Sequence, residues 1–240
     1  MVIMQRIILM VLRLILKVPY YMLGIWWCGR TKNYDLNRSY AFIKKAATAA
    51  NRAGKVTIES YGVENLPKKD GFVFFPNHQG LYDGLAFLES CPRPFSFVIK
   101  KEAGNVILLK QIISALRAMV MDRQDIKQSL HVINQVADEV KKGRNFLIFP
   151  EGTRSRLGNK LLAFKGGTFK CAMKAKCPIV PCALIDSFIP FDQKGTKPVT
   201  VKLFYLEPIY YEEYKSMRST AIADMVKARI EAAIAEYENR

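Results

Sequence analysis

The rhythm of apolar and polar positions changes along this chain. Residues 1–29, MVIMQRIILMVLRLILKVPYYMLGIWWCG, are apolar apart from spaced cations, and no acid occurs before Asp35. At 100° per residue, Arg6, Arg13 and Lys17 fall within about 40° of one another on a helical wheel, one cationic stripe on an apolar rod. Such a helix suits a membrane interface, with its cationic side chains reaching lipid phosphates. Pro19 is expected to break or kink it. Tyr20, Tyr21, Trp26 and Trp27 follow, residue types enriched at headgroup level. The longest charge-free stretch, Val18 to Gly29, has twelve residues, short of the ~18 of a spanning helix. A signal peptide would carry a small-x-small cleavage site, where Trp26-Trp27-Cys28 stands instead. Monotopic anchoring is the expectation, with a transmembrane or re-entrant pair and a buried core hairpin as alternatives.

Residues 36–53 (LNRSYAFIKKAATAANRA) have helix-forming composition, with Gly54 as a stop signal. Beyond them the pattern turns to short alternating or wholly apolar runs: Lys55–Tyr61, Gly71–Phe75, Phe95–Ile99, Asn145–Phe149, Ile179–Ile185 and Val199–Leu206. These read as strands. Helical periodicity lies between and after them, at about 82–90, 105–118, 125–142, 166–176 and 211–238. Strands separated by helices predict an α/β fold, one layered domain with a largely parallel central sheet flanked by helices. The expected division is 1–54 as an N-terminal membrane-anchoring helical segment, 55–210 as the catalytic domain, and 211–240 as a C-terminal packing helix.

Composition narrows the partners. The chain has 240 residues, half of them hydrophobic, with 37 Lys and Arg against 21 Asp and Glu. That apolar fraction excludes a disordered basic tail, and the net charge of +16 points to an anionic partner. Five cysteines without a Cys-x-x-Cys pair, and only two histidines, make a metal site unexpected. The cysteines read as buried or incidental thiols of a reducing compartment. Of the two histidines, His131 lies in a helical stretch and reads as a helix-surface residue.

Two polar blocks follow strand ends, where ligand crevices of α/β sheets lie. In the first, Phe75-Pro-Asn-His-Gln-Gly-Leu-Tyr-Asp83, His78 and Asp83 are five apart. They can meet if His78 lies in the loop and Asp83 in the first turn of the helix. The carboxylate would then hold one ring nitrogen and leave the other as a base. A helix-capping Asp83 beside a surface His78 is the alternative. In the second block, Phe149-Pro-Glu-Gly-Thr-Arg-Ser155, Gly152 permits close backbone approach, and Arg154 offers a fork matched to phosphate. From Lys141 to Lys176 there are ten bases and one acid, Glu151. Phe164-Lys165-Gly-Gly167 in that stretch is another anion-contacting turn. A solvated basic surface is the plainer alternative.

Together these blocks resemble the glycerolipid acyltransferases, in particular the 1-acyl-sn-glycerol-3-phosphate (lysophosphatidic acid) acyltransferases. Asn77-His78-x4-Asp83 and Glu151-Gly152-Thr153-Arg154 match that family's Asn-His-x4-Asp and Glu-Gly-Thr-Arg blocks. Lys100 and Arg123 sit in segments similar to the two ends of its lysine block, and Pro178-Ile-Val-Pro181 is similar to its Val-Pro block. The resemblance covers about residues 55–210. The stretch 103–120 departs by lacking a proline and a second glycine.

The resemblance implies acyl transfer from a thioester, acyl-CoA or acyl carrier protein, to a glycerol hydroxyl, with no bound cofactor. His78 would be the general base, with Asp83 holding its tautomer. Arg154 would bind the acceptor phosphate, helped by Lys100 and Arg123. Glu151 would orient Arg154 or a glycerol hydroxyl, Val180 and Pro181 would shape the acyl-side wall, and an amide near Gly80 or Gly152 would receive the oxyanion. Asn77, Gly152, Thr153 and Lys165 complete the expected substrate site. The implied setting is a phospholipid surface, with the catalytic domain on the cytoplasmic side and lysophosphatidic acid as acceptor. Glycerol 3-phosphate or another lysophospholipid is the alternative acceptor. A non-enzymatic basic protein of membranes or RNA, and a hydrolase, are the rival readings. The chain has neither an aromatic–glycine RNA motif nor a Gly-x-Ser-x-Gly elbow.

Overall fold

A computed structural model describes residues 4–30, 35–102 and 107–239. Seven strands form one sheet: β1 (Val56–Tyr61), β2 (Val73–Pro76), β3 (Ser96–Lys100), β4 (Met119–Met121), β5 (Phe146–Leu147), β6 (Ile179–Ile185) and β7 (Val199–Tyr205). Their spatial order is β1-β7-β6-β2-β5-β3-β4. Only the β6–β7 pair is antiparallel. The expected α/β domain with a largely parallel sheet is therefore the observed architecture.

Side-chain alternation along the strands divides the interior into two clusters, one on each face. Phe72, Phe74 and Leu147 join one, with helices α2 (Val18–Arg30), α3 (Leu36–Ala53) and α4 (Asp83–Ser90). Val73, Phe75 and Phe146 join the other, with α6 (Ile126–Lys141) and, further along the chain, α7 (Lys170–Ala175) and α10 (Ser219–Glu238). Strands β2 and β6 are buried along their whole length, which is why their sequences read as continuous apolar runs.

Several elements differ from the sequence expectation. β4 is a three-residue edge strand paired with β3, too short to leave a periodic signal. The run Asn145–Phe149 pairs as a strand only at Phe146–Leu147, before Pro150. The helix expected at 166–176 begins as a 3-10 turn, Gly166–Phe169. The final helix is two: α9 (Tyr211–Tyr214) stops, and α10 restarts after an extended Arg218. α10 then buries Ile222, Val226, Ile230 and Ile234 as a four-residue stripe. A short helix α8 (Ile189–Asp192), unpredicted, follows β6. Helix α5 (Ile107–Ala115) occupies most of the span expected at 105–118. Residues 103–106, where that helix and the departing stretch begin, lie outside the described residues.

The N-terminal segment forms α1 (Met4–Arg13) and α2, bent by 99° from one another. The turn falls at residues 14–17. Pro19 therefore sits inside the first turn of α2, where its missing N–H costs no helical bond. Of the expected cationic stripe, Arg13 and Lys17 are exposed, but Arg6 turns inward. Arg6 is buried and donates to the carbonyls of Gly54 at 2.6 Å and of Pro190 and Lys197 at 3.0 Å. Arg13 donates to Ala53 O at 3.2 Å. Unsatisfied carbonyls at the end of α3 and around α8 take these donors. That turns the apolar flank outward, leaving Leu12, Ile15, Leu16, Leu23 and Trp27 exposed, Leu16 at 92%.

Candidate active site

The loop between β2 and α4 carries the first polar block. Asp83 is the first residue of α4, and its side chain is fully buried. It accepts from His78 Nδ1 at 2.7 Å, from Gln79 N–H at 2.7 Å, from Gly80 N–H at 3.1 Å, and from the Ser187 hydroxyl. The carboxylate thus serves the histidine and folds its own loop. Facing this acceptor, the His78 ring donates through Nδ1–H and leaves Nε2 as acceptor. The ring of His78 lies flat on Phe149, with centroids 3.9 Å apart and planes 19° apart. Gly80 is required by close approach, since a Cβ there would stand 2.5 Å from an Asp192 carboxylate oxygen.

The second block locks onto the first. Glu151 is buried; one oxygen accepts from His78 N–H at 2.7 Å and the other from Leu162 N–H at 3.1 Å. Burial pushes its carboxyl above the usual carboxylate range, against the pull of those two donors. Ser155 N–H reaches His78 O at 2.8 Å, a second tie between the loops. The expected contact of Glu151 with Arg154 does not form, because both oxygens already face backbone donors. Arg154 pairs instead with Asp192 of α8, at 3.5 Å.

The remaining sequence candidates separate. Asn77 is buried, and its amide is spent on Leu184, donating to the carbonyl at 2.9 Å and accepting from the N–H at 2.7 Å. It clamps the loop to β6 and does not line the cavity at His78. Among the amides near Gly80 and Gly152 expected for the oxyanion, those of the two glycines themselves are occupied, Gly80 by Asp83 and Gly152 by Phe149 O at 3.1 Å. Val180 and Pro181 lie within β6, buried in the sheet, and line no cavity described below.

A cavity of about 470 Å³ opens at His78. Its apolar part comes from Leu85, Leu88, Phe97, Ile112 and Ile113; Lys100, Arg123, Thr153, Arg154 and Arg156 add cationic and polar groups. In the free protein Lys100 pairs with Glu102 at 2.9 Å. Lys165 is absent from this cavity and lines a second one with Gly152 and Arg123. An apolar chamber with a cationic lining and a partly exposed histidine on a buried Asp83 can hold an amphiphilic anion and remove a proton from it. Burial pushes the Cys91 thiol up to about 11 and the Cys177 thiol up to about 12, so neither is a thiolate nucleophile at neutral pH. His131 is exposed on α6.

Sequence reasoning missed five residues of this site. Arg156 faces the same cavity as Arg154, from a left-handed backbone at φ 56°; the cluster of bases around it was its only signal. Ser187 and Asp192 lie beyond the end of β6, more than one hundred residues from the loop they complete. Asp186, at φ 62°, makes the turn that delivers Ser187. Gln79 accepts from Ser187 N–H at 2.8 Å, and its amide bonds Leu184 O at 2.9 Å.

Comparison with known proteins matches this site's segment. The sequence model of the Acyltransferase family fits residues 57–185, over half of the chain. A 1-acyl-sn-glycerol-3-phosphate acyltransferase of Cocos nucifera is 29% identical over 161 residues, 65% of this chain and 51% of that protein. One of Helicobacter pylori is 31% identical over 148 residues, 57% of this chain and 62% of that protein. The matched segment thus spans about half to three fifths of these relatives. The crystal structure of the 1-acyl-sn-glycerophosphate (LPA) acyltransferase PlsC of Thermotoga maritima has the same fold, with a TM-score of 0.77 at 21% identity, covering 100% of this chain and 99% of that one. By its sequence, the chain belongs to the acyltransferase family.

Proposed function

We propose that this protein transfers a fatty acyl group from a thioester donor to the free hydroxyl of 1-acylglycerol 3-phosphate, giving phosphatidic acid. The observation that carries the proposal is His78, held by buried Asp83 at 2.7 Å and opening onto a cavity that joins an apolar chamber to three arginines and a lysine. Curated relatives named for this activity support the choice of acceptor.

In this reading Nε2 of His78 removes the proton of the acceptor hydroxyl, which attacks the thioester carbonyl. Asp83 stabilises the imidazolium formed, and His78 then protonates the leaving thiolate. The nucleophile belongs to the substrate, so no protein serine or cysteine is acylated. Arg154, Arg156 and Lys100 bind the acceptor phosphate, and Leu85, Leu88 and Phe97 receive acyl chain.

The setting we propose is the cytoplasmic membrane surface. No described helix is long and apolar enough to cross a bilayer alone. The outward apolar flank of α1 and α2 suits partial insertion, with the bent pair lying in the interface. Lysolipid would then reach the cavity from the side.

The test is purified protein with oleoyl-CoA and oleoyl carrier protein, offered 1-acylglycerol 3-phosphate, glycerol 3-phosphate or lysophosphatidylcholine. The expected product is phosphatidic acid, formed fastest from the first acceptor. Free fatty acid without transfer to any acceptor would reject the proposal in favour of hydrolysis.

A further inference from the structure

The chain has a second cavity, about 270 Å³, against the other face of the sheet. Its floor includes Ile133 and Ile148, from the cluster opposite to that of Phe97 and Leu88. Three residues line both cavities, Val98, Arg123 and Phe149. Phe149 is the residue on which His78 stacks, so the two chambers meet at the wall behind the general base.

The Glu-Gly-Thr-Arg loop runs between the two cavities. Thr153 and Arg154 face the first cavity; Gly152, with Lys165 over it, faces the second. Gly152 has φ 73°, and a Cβ there would stand 2.9 Å from Lys165 Nζ. Its bare α-carbon is what lets that ammonium lie in the wall. Lys170 adds a second cation, and Ser129 and Thr168 add hydroxyls. Among the described residues, no carboxylate lies within 4.0 Å of either lysine ammonium.

Both lysines are exposed at this cavity, where they can receive an anion from outside. In the proposed reaction the acceptor phosphate is already met by Arg154, Arg156 and Lys100 in the first cavity. The other phosphate-bearing body is the donor's leaving group. We infer that the second cavity cradles the phosphorylated pantetheine arm of the acyl donor, with Lys165 and Lys170 at its phosphate and the thioester at the shared wall. This assignment rests on the acyl-transfer reading. Transfer breaks the C–S bond and forms the ester C–O bond. The hydroxyl proton passes through His78 to sulfur, and the free thiol remains on the arm in this groove until it leaves.

The test uses the full chain and its Lys165→Ala/Lys170→Ala double variant with three donors: acyl-CoA, acyl carrier protein thioester and acyl-N-acetylcysteamine, which has no phosphate. Loss of two charge-assisted contacts should raise KM for acyl-CoA by about tenfold, while KM for acyl-N-acetylcysteamine and for lysophosphatidic acid moves less than about twofold. A rise confined to the carrier thioester also supports the groove and identifies the carrier as the source. A rise in acceptor KM, or an equal rise for all three donors, overturns the assignment. Titration calorimetry with coenzyme A needs no turnover. Where the KM for acyl-CoA rises, weaker coenzyme A binding by the double variant supports the site, and equal binding overturns it. A wild type that binds coenzyme A through these lysines but transfers no acyl group rejects the acyl-transfer reading and leaves the groove standing.

Discussion

Asp83→Asn isolates the charge of the His–Asp pair from its shape. The buried carboxylate receives four donors: the His78 ring, two backbone N–H groups and the Ser187 hydroxyl. An asparagine can keep its oxygen toward His78, Gln79 and Gly80 and turn its amide toward Ser187, whose hydroxyl then accepts. The loop survives in that arrangement, but the negative charge does not. A pair of unit charges about 4 Å apart at an effective dielectric near 20 interacts by about 4 kcal/mol. That is the stabilisation lost to the imidazolium, and it corresponds to about 10³ in rate. The opposite amide orientation makes Nδ1 an acceptor and moves the proton to Nε2, a loss of about 10⁴ in a comparable pair. The expected kcat is therefore about 10³- to 10⁴-fold below wild type, read by thiol release from acyl-CoA. Burying an imperfectly matched amide should cost about 1–3 kcal/mol of stability, a lowered but cooperative thermal transition. A folded Asp83→Asn protein with kcat within about tenfold of wild type would refute the argument.

Three other perturbations probe parts of the site that do different work. Burial raises the Glu151 carboxyl above its unfolded value, so the native state binds its proton more readily and the acid's contribution to stability declines as pH rises. The Tm of wild type relative to Glu151→Gln should accordingly increase on going from about pH 8 to about pH 5; a constant difference would show that the group is not shifted. Arg154→Ala should raise KM for lysophosphatidic acid by about tenfold or more, through loss of a guanidinium–phosphate contact, and an unchanged KM would remove Arg154 from the phosphate site. Leu12→Glu/Leu16→Glu places charge on the outward flank of α1 and the turn after it, where both leucines are exposed. Sedimentation with anionic vesicles should fall sharply while the Tm is kept, and undiminished sedimentation would reject the proposed membrane face.

The strands of the core were legible because the sheet is covered on both faces. β2 and β6 therefore appear as unbroken apolar runs. β4 was not legible, since three residues carry no period. Strand-end position and a five-residue spacing allowed His78 and Asp83 to meet, and the family resemblance chose that arrangement over a helix-capping Asp83. Their supports were not, because they come from distant parts of the chain. Ser187 arrives from the far end of β6, through a left-handed Asp186, and Glu151 reaches across from the loop after β5. The family resemblance also assigned Asn77 to substrate, while long-range folding bonds its amide to Leu184. Arg6 shows the same limit. A helical wheel aligns the three cations of the N-terminus, but only the packed fold reveals backbone carbonyls waiting for Arg6 at Gly54 and Pro190. Charge periodicity marks a face; it does not say which side of that face is wet.

The central claim is that His78 moves the proton of an acyl transfer to a lysolipid. Its most direct measurement is phosphatidic acid formed from acyl-CoA and 1-acylglycerol 3-phosphate, quantified by mass spectrometry for wild type and for His78→Ala of matching circular dichroism. The account predicts product from wild type and a loss of at least about 10³-fold in the variant. Phosphatidic acid formed by His78→Ala at the wild-type rate would contradict it.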